Sequence, residues 1–202
     1  MKNLGLERRQ LIQMLVTTMA GSAVIAPFGE ASPLTGAPDS RAVFIPPGSG
    51  RKGTFGGSAD ITFKLEKSQT NGHLGCAELT LQPGRMGAVP HVHHTFDEVC
   101  RVLEGTVSVL VGEDVIDVPV GGWHLRPKGT VHAYWNSGKI PSRAIEMYLP
   151  GGHEDYMKAL TELFATSAMP AQADVDRLGK KYDTAFVWDR LPLLLEKYGV
   201  TL

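Results

Sequence analysis

The chain has 202 residues, 43% of them hydrophobic, which suits one compact domain with extensions and a real core. Its net charge is −1 and no long run carries one sign, so the electrostatic footprint of a nucleic-acid binder is missing. Glycine (23) and proline (13) are numerous and punctuate short segments, which favours an all-β body over a helical bundle.

The first element in chain order reads as an address label. Lys2, Arg8 and Arg9 precede an uncharged, moderately apolar run, Leu11–Ala26, and small residues with a turn follow in "PFGEASPLTG". This is the three-part layout of a secretory signal. The run is too short and too polar for a comfortable membrane span of about 20 residues. The Arg8-Arg9 pair resembles a twin-arginine export signal; in "ERRQLIQ" only the two arginines follow that pattern, so the general secretory route stays open. Residues 1–31 are therefore predicted to be a signal peptide, cleaved after Ala26 or Ala31. The mature protein is expected in the periplasm or outside the cell, with no stable membrane anchor.

Residues 32–57 are rich in Gly, Pro and Ser and read as a linker with one edge strand at "RAVFI". From 58 to 152, short β-like runs alternate with turn signals: "ADITFKLEK", "HLGCAELTLQ", "GAVPHVH", "DEVCRVLEG", "TVSVLVG", "DVIDVPV", "GWHLRPKG", "TVHAYWN" and "SRAIEMYL". Strand-sized runs at this spacing suggest a sandwich or barrel. The character changes at 153–202. Tyr156, Met157, Leu160, Leu163 and Phe164 fall at helical spacing, with Glu154 and Asp155 in the first turn and Pro170 beyond the end. Val175, Leu178 and Tyr182 mark a second helix, and a third is expected from an Asp189 cap to Gly199. These apolar stripes are expected to pack on the barrel or on a partner subunit.

The two cysteines, Cys76 and Cys100, admit three readings: a disulfide permitted by export, two buried free thiols, or, for Cys100 on the strand face of Glu98, a thiol lining the same cavity as the histidines.

The densest chemistry lies in "PHVHHTFDEVCRVLEG". On a strand His91 and His93 point the same way, and a short loop then delivers Glu98 to the start of the next strand. His132 follows a Pro127/Gly129 turn further on. Three imidazoles and a carboxylate suit a divalent first-row metal.

His91-x-His93-x4-Glu98-x6-Gly105 resembles the first motif of the cupin superfamily, and Gly121, Pro127, Gly129, His132 and Asn136 resemble its second. One position departs: Arg85 stands where the first motif has a leading glycine, which alters a turn and no ligand. The resemblance covers 58–152. It implies an all-β fold, an antiparallel jelly-roll β-barrel (a double-stranded β-helix) followed by C-terminal α-helices. It also implies one divalent transition metal per chain (Fe, Mn, Ni, Cu or Zn) on His91, His93, Glu98 and His132, with one or two positions left open.

Other residues carry weaker expectations. Tyr134 shares a strand face with His132, either as a hydroxyl near the metal or as a plain core aromatic. His94 is placed in solvent or behind the ligands. His73, His124 and His153 are placed at the surface, and Phe96, Val102 and Met147 in the cavity lining. The "PGG"-then-helices tail and "PHVHHTFDE" look like the quercetin dioxygenase-like cupins. That likeness implies a metal-dependent dioxygenase acting on a small enolic or phenolic substrate, with Glu98 as both ligand and base; Tyr134, from its place on the His132 strand face, is the second catalytic candidate. The alternatives are a non-catalytic exported cupin binding a small molecule or metal, and a cupin isomerase or decarboxylase. The expected partners are that small molecule and a second copy, in a homodimer with the C-terminal helices or the 41–57 segment near the interface; nucleic acid is not expected.

Overall fold

The computed structural model describes residues 42–202, so the expected signal segment and its cleavage sites lie outside the described residues. Ten strands come first: β1 (Lys52–Phe55), β2 (Ala59–Leu65), β3 (Gly75–Leu81), β4 (Arg85–Val92), β5 (Asp97–Glu104), β6 (Thr106–Val111), β7 (Asp114–Pro119), β8 (Trp123–Arg126), β9 (His132–Asn136) and β10 (Ser142–Leu149). Helices α1 (His153–Thr166) and α2 (Gln172–Lys181) follow. The chain then forms a short strand, β11 (Ala185–Phe186), a 3-10 turn at Trp188–Arg190 and helix α3 (Leu191–Tyr198).

The strands build two antiparallel sheets, in the orders β1-β2-β3-β10-β5-β8 and β11-β4-β9-β6-β7. This is the jelly-roll arrangement with C-terminal helices expected from the sequence. Alternation places the core between the sheets. In "GCAELTL", β3 buries Gly75, Ala77, Leu79 and Leu81 and turns Cys76, Glu78 and Thr80 outward. Strand β9 is buried on both faces. Tyr134 joins the core between the sheets, whereas Ala133 and Trp135 pack with Leu191 and Leu194 of α3. A central strand covered on both sides in this way reads as a continuous buried run rather than an alternation.

The helices do not pack on one another as a separate domain. Tyr156 and Met157 of α1 enter the main core, joined by Leu160, Phe164, Leu178 and Phe186. Phe164 meets Phe55 of β1 edge-on at 5.9 Å between ring centroids.

Three expectations are corrected, and one of the three cysteine readings is selected. The edge strand is at "KGTF", not "RAVFI": residues 42–46 form no strand. Helix α3 starts at Leu191 after the 3-10 turn, with Arg190 at its N-cap and no side-chain cap, so Asp189 does not cap it. Met147 faces away from the interior, because the inward positions of β10 are Ser142, Ala144, Glu146 and Tyr148. Both cysteines are free. Cys76 on β3 is opposite Met147, and Cys100 on β5 is opposite Glu146, so β10 runs between them. Two strand spacings of about 4.8 Å exceed the Cα separation a disulfide spans.

Candidate metal centre

Four side chains converge inside the jelly roll. His91 comes from β4, His93 from the residue after Val92, Glu98 from β5 and His132 from β9. His91 is paired directly with His132 across the β4–β9 ladder, which explains how residues far apart in sequence meet. All four are buried, and one ligand atom from each lies within 4.8 Å of the others. The turn before His132 is tied to the same place: Gly129, at φ +77°, donates its N–H to the His93 carbonyl at 2.7 Å. That left-handed backbone suits glycine and no branched side chain.

The donor set fits a divalent metal. Both ring nitrogens of His93 and Nε2 of His132 are buried without a hydrogen-bond partner among the described residues. Buried polar atoms left unpaired in this number call for a ligand. The other ring nitrogens of two ligands are held by backbone carbonyls: His91 Nδ1 by Val89 O at 2.8 Å, and His132 Nδ1 by Thr130 O at 2.9 Å. As N–H donors there, they leave Nε2 free as the ligating lone pair. Burial holds His91 well below the ordinary imidazole range and His93 at about 4, so both are neutral and ready to ligate near neutral pH.

Glu98 is the electrostatic hub. Its oxygens lie 3.7 Å from His93 Nε2, 3.5 Å from His132 Nε2 and 3.3 Å from Arg126 Nε. Burial alone would raise its pKa; the Arg126 guanidinium and His132 outweigh that and hold the carboxyl well below its usual range. Arg126 also pairs with Glu146 and lies over the Tyr134 ring, 4.9 Å from its centroid. Burial pushes Glu146 up to about 7, with the Glu98 charge adding to it against the pull of Arg126. One buried guanidinium thus sits between two buried carboxylates of opposite tendency. Cys100 is wholly buried beside Glu146, burial pushes its thiol up to about 12, and it is not among the four converging donors.

The site opens on a cavity of about 360 Å³, within the range of small-molecule pockets. Its head is lined by His91, Glu98, Tyr134, Glu146 and His153, and its walls by apolar side chains that include Met86, Met157, Leu160, Phe164 and Phe186. Tyr134 is buried there, and burial pushes its phenol well above the usual range, so the hydroxyl keeps its proton. Gly87 makes room for that ring: a Cβ there would lie 2.4 Å from Tyr134 Cε2.

The remaining expectations divide. Phe96 stacks on the His93 ring at 3.8 Å, and Val102 lies in the main core rather than in the lining. His73 and His94 are exposed, as expected. His94 and Thr95 donate their backbone N–H groups to Asp183, each at 2.8 Å. His124 is half-buried opposite Cys100, with Nδ1 unpartnered, because β8 turns His124 and Arg126 inward and leaves Trp123 and Leu125 exposed. His153 is not a surface residue: it is 6% exposed, with Nε2 3.5 Å from Glu98 Oε1. Helix α1 folds back over the site and carries its first residue inside. Arg126, Glu146 and His153 are the residues that sequence reasoning missed. The available signal was a polar residue between apolar ones on a strand, as in "WHLR" and "AIEMY".

Comparison with known proteins agrees with this architecture. Residues 77–148 match the cupin domain family. Among solved structures, KdgF from Halomonas sp. superposes with a TM-score of 0.50 at 15% identity, over 56% of this chain and 99% of that one. An RmlC-like cupin from Shewanella frigidimarina gives 0.48 at 18% identity, over 58% and 98% of the two chains. A predicted oxalate decarboxylase from Thermotoga maritima gives 0.44 at 17%, over 46% and 80%. No curated protein matches the chain.

Proposed function

We propose that this chain, which carries a cupin domain around three histidines and a glutamate, is an exported, mononuclear metal-dependent dioxygenase acting on a small, largely apolar enolic or phenolic substrate. The observation that carries the reading is a buried four-donor set, two of whose members, His91 and Glu98, line the head of an apolar cavity. His91, His93, Glu98 and His132 would hold a divalent metal, which supplies Lewis acidity and an open coordination position.

The chain's own groups do the rest. The apolar walls seat a ring or chain and keep bulk water from the reacting head. Glu98, which lines the head of the cavity, is placed to accept the substrate's enol or phenol proton. Arg126 keeps that carboxylate oriented while Glu146 shares the guanidinium. Tyr134 keeps its hydroxyl proton and can donate to a substrate oxygen.

The test is O2 uptake by the metal-loaded protein with a panel of flavonols, β-diketones and catechols. Stoichiometric uptake with one class supports the reading. Turnover without O2 would reassign the site to isomerase or decarboxylase chemistry, and binding without turnover would make it a ligand-binding cupin. Export has its own check: replacing Arg8-Arg9 by Lys-Lys should trap precursor in the cytoplasm, and unimpaired export would remove the twin-arginine route.

A further inference from the structure

His153 comes from α1, outside residues 77–148, yet it reaches the centre of the site. Its position is built. The adjacent Glu154 is wholly buried and accepts N–H groups from Lys67 and Gly152, each at 2.7 Å, which pins the first turn of α1. The His153 ring is packed among Phe96, Tyr148 and Tyr156, at centroid distances of 4.6, 4.8 and 5.1 Å.

The ring's own polar atoms are under-used. Nδ1 is buried without a hydrogen-bond partner among the described residues, and Nε2 has only the 3.5 Å contact with Glu98 Oε1. Burying an imidazole in that state costs free energy that a plain packing residue would avoid. His153 also stands apart from the converging donors, since the four-residue group within 4.8 Å does not include it. Its ring centroid is 6.0 Å from that of His93. It lines the 360 Å³ cavity beside Glu98 and also a second, outer cleft formed with Thr95, Phe96 and Lys181.

We infer that His153 is a further substrate-contacting residue of this site: not a metal ligand, but an N–H donor to the oxygen-bearing head of a substrate seated against Glu98. The donor is Nε2, the nitrogen that faces Glu98, so the role uses the Nε2–H tautomer, which the Glu98 carboxylate 3.5 Å away favours. The inference rests on the reading of the cavity as a metal-dependent substrate site, and it assigns to the helical extension a part in recognition as well as in packing.

The experiment uses the full chain loaded with Co2+ and tropolone as the enolic probe, with binding read from the visible spectrum of the cobalt. Wild type, His153→Phe and His153→Gln are compared, with metal per chain and thermal midpoint measured for each. All three should hold cobalt equally. His153→Phe, which keeps the ring and removes the donor, should weaken tropolone binding roughly tenfold, the scale of one hydrogen bond. His153→Gln, which restores a donor, should recover most of it. Equal tropolone affinity in wild type and His153→Phe overturns the inference and leaves the dioxygenase reading intact. Loss of cobalt from both variants overturns it too, by making His153 part of the metal's own support, as does wild type that holds cobalt but no tropolone. The expected tropolone pattern without O2 uptake on any substrate keeps His153 in this role and removes the dioxygenase reading instead.

Discussion

At the scale of single residues, the site is a set of buried polar groups that only each other or a ligand can satisfy. His132 shares a ladder pair with His91, and its Nε2 has no hydrogen-bond partner among the described residues, only the 3.5 Å contact with Glu98. His132→Ala should therefore drop bound metal from roughly one per chain to a small fraction of that, by elemental mass spectrometry. Retention of full occupancy would dissolve the four-donor assignment. Arg126 holds two buried carboxylates at once. Arg126→Leu leaves both without a counter-charge and should cost about 3–5 kcal/mol in urea unfolding, the range for breaking a buried ion pair from one side. A loss below about 1 kcal/mol would show that water reaches the triad. The lowered imidazoles outnumber the one opposing carboxyl, Glu146 at about 7, and so give the metal-free protein its net pH dependence. Burial holds His93 and His153 at about 4 in the folded state, against about 6.5 in the unfolded chain. Between those values the unfolded state binds more protons, so stability falls as pH falls from 6.5 toward 4. The slope is up to about 1.4 kcal/mol per pH unit for each ring. Urea midpoints at pH 7.5, 5.5 and 4.5 should decrease in that order; equal midpoints would mean that the rings are solvated.

At the scale of elements, the C-terminal extension completes the site from outside the matched domain. Strand β11 adds to β4 opposite Val92 and His91, so the extension pairs with the strand that bears the first ligand. Asp183, at φ +56°, then clamps the loop between His93 and Glu98. It accepts the N–H groups of His94 and Thr95 at 2.8 Å and the Thr95 hydroxyl at 2.7 Å. Burial would raise the Asp183 pKa, but these donors lower it overall and keep it a carboxylate. Asp183→Ala should cost on the order of 1–3 kcal/mol of stability and weaken metal binding by about tenfold, because a ligand-bearing loop loses its support. Competition with a metal-chelating dye would measure the second effect; unchanged affinity would show that the ladder alone positions the ligands.

For the molecule as a whole, the helices convert an open jelly roll into a lidded container. Met157, Leu160 and Phe164 of α1, with Val175 of α2, form much of the apolar wall. That wall should set the size and polarity of what enters. Leu160→Trp fills part of the cavity without touching the donor set, so metal content should hold while the Kd of an apolar probe rises severalfold or more. A probe that binds the variant as well as wild type would place its site elsewhere. Among the described residues no helix is long and apolar enough to cross a membrane.

The chain's linear pattern determined the strand series and the three helices after residue 152, and its resemblance to the cupin motifs gave the four candidate metal-binding residues. Strand alternation and motif spacing are local properties, and the ligands sit in motifs with turn glycines and prolines at fixed offsets. The tertiary structure alone decided the rest of the site. In β8 the pattern points the wrong way: "WHLR" invites Trp123 and Leu125 into the core, yet they are exposed and Arg126 is buried. In β10 the same inversion places Glu146 inside between Ile145 and Met147. A buried charge is tolerable only when its partner arrives, and the partners here come from strands β5, β8 and β10 together. His153 belongs to the same class. Its burial depends on where α1 docks, and docking is a property of two packed surfaces that no local window of sequence contains.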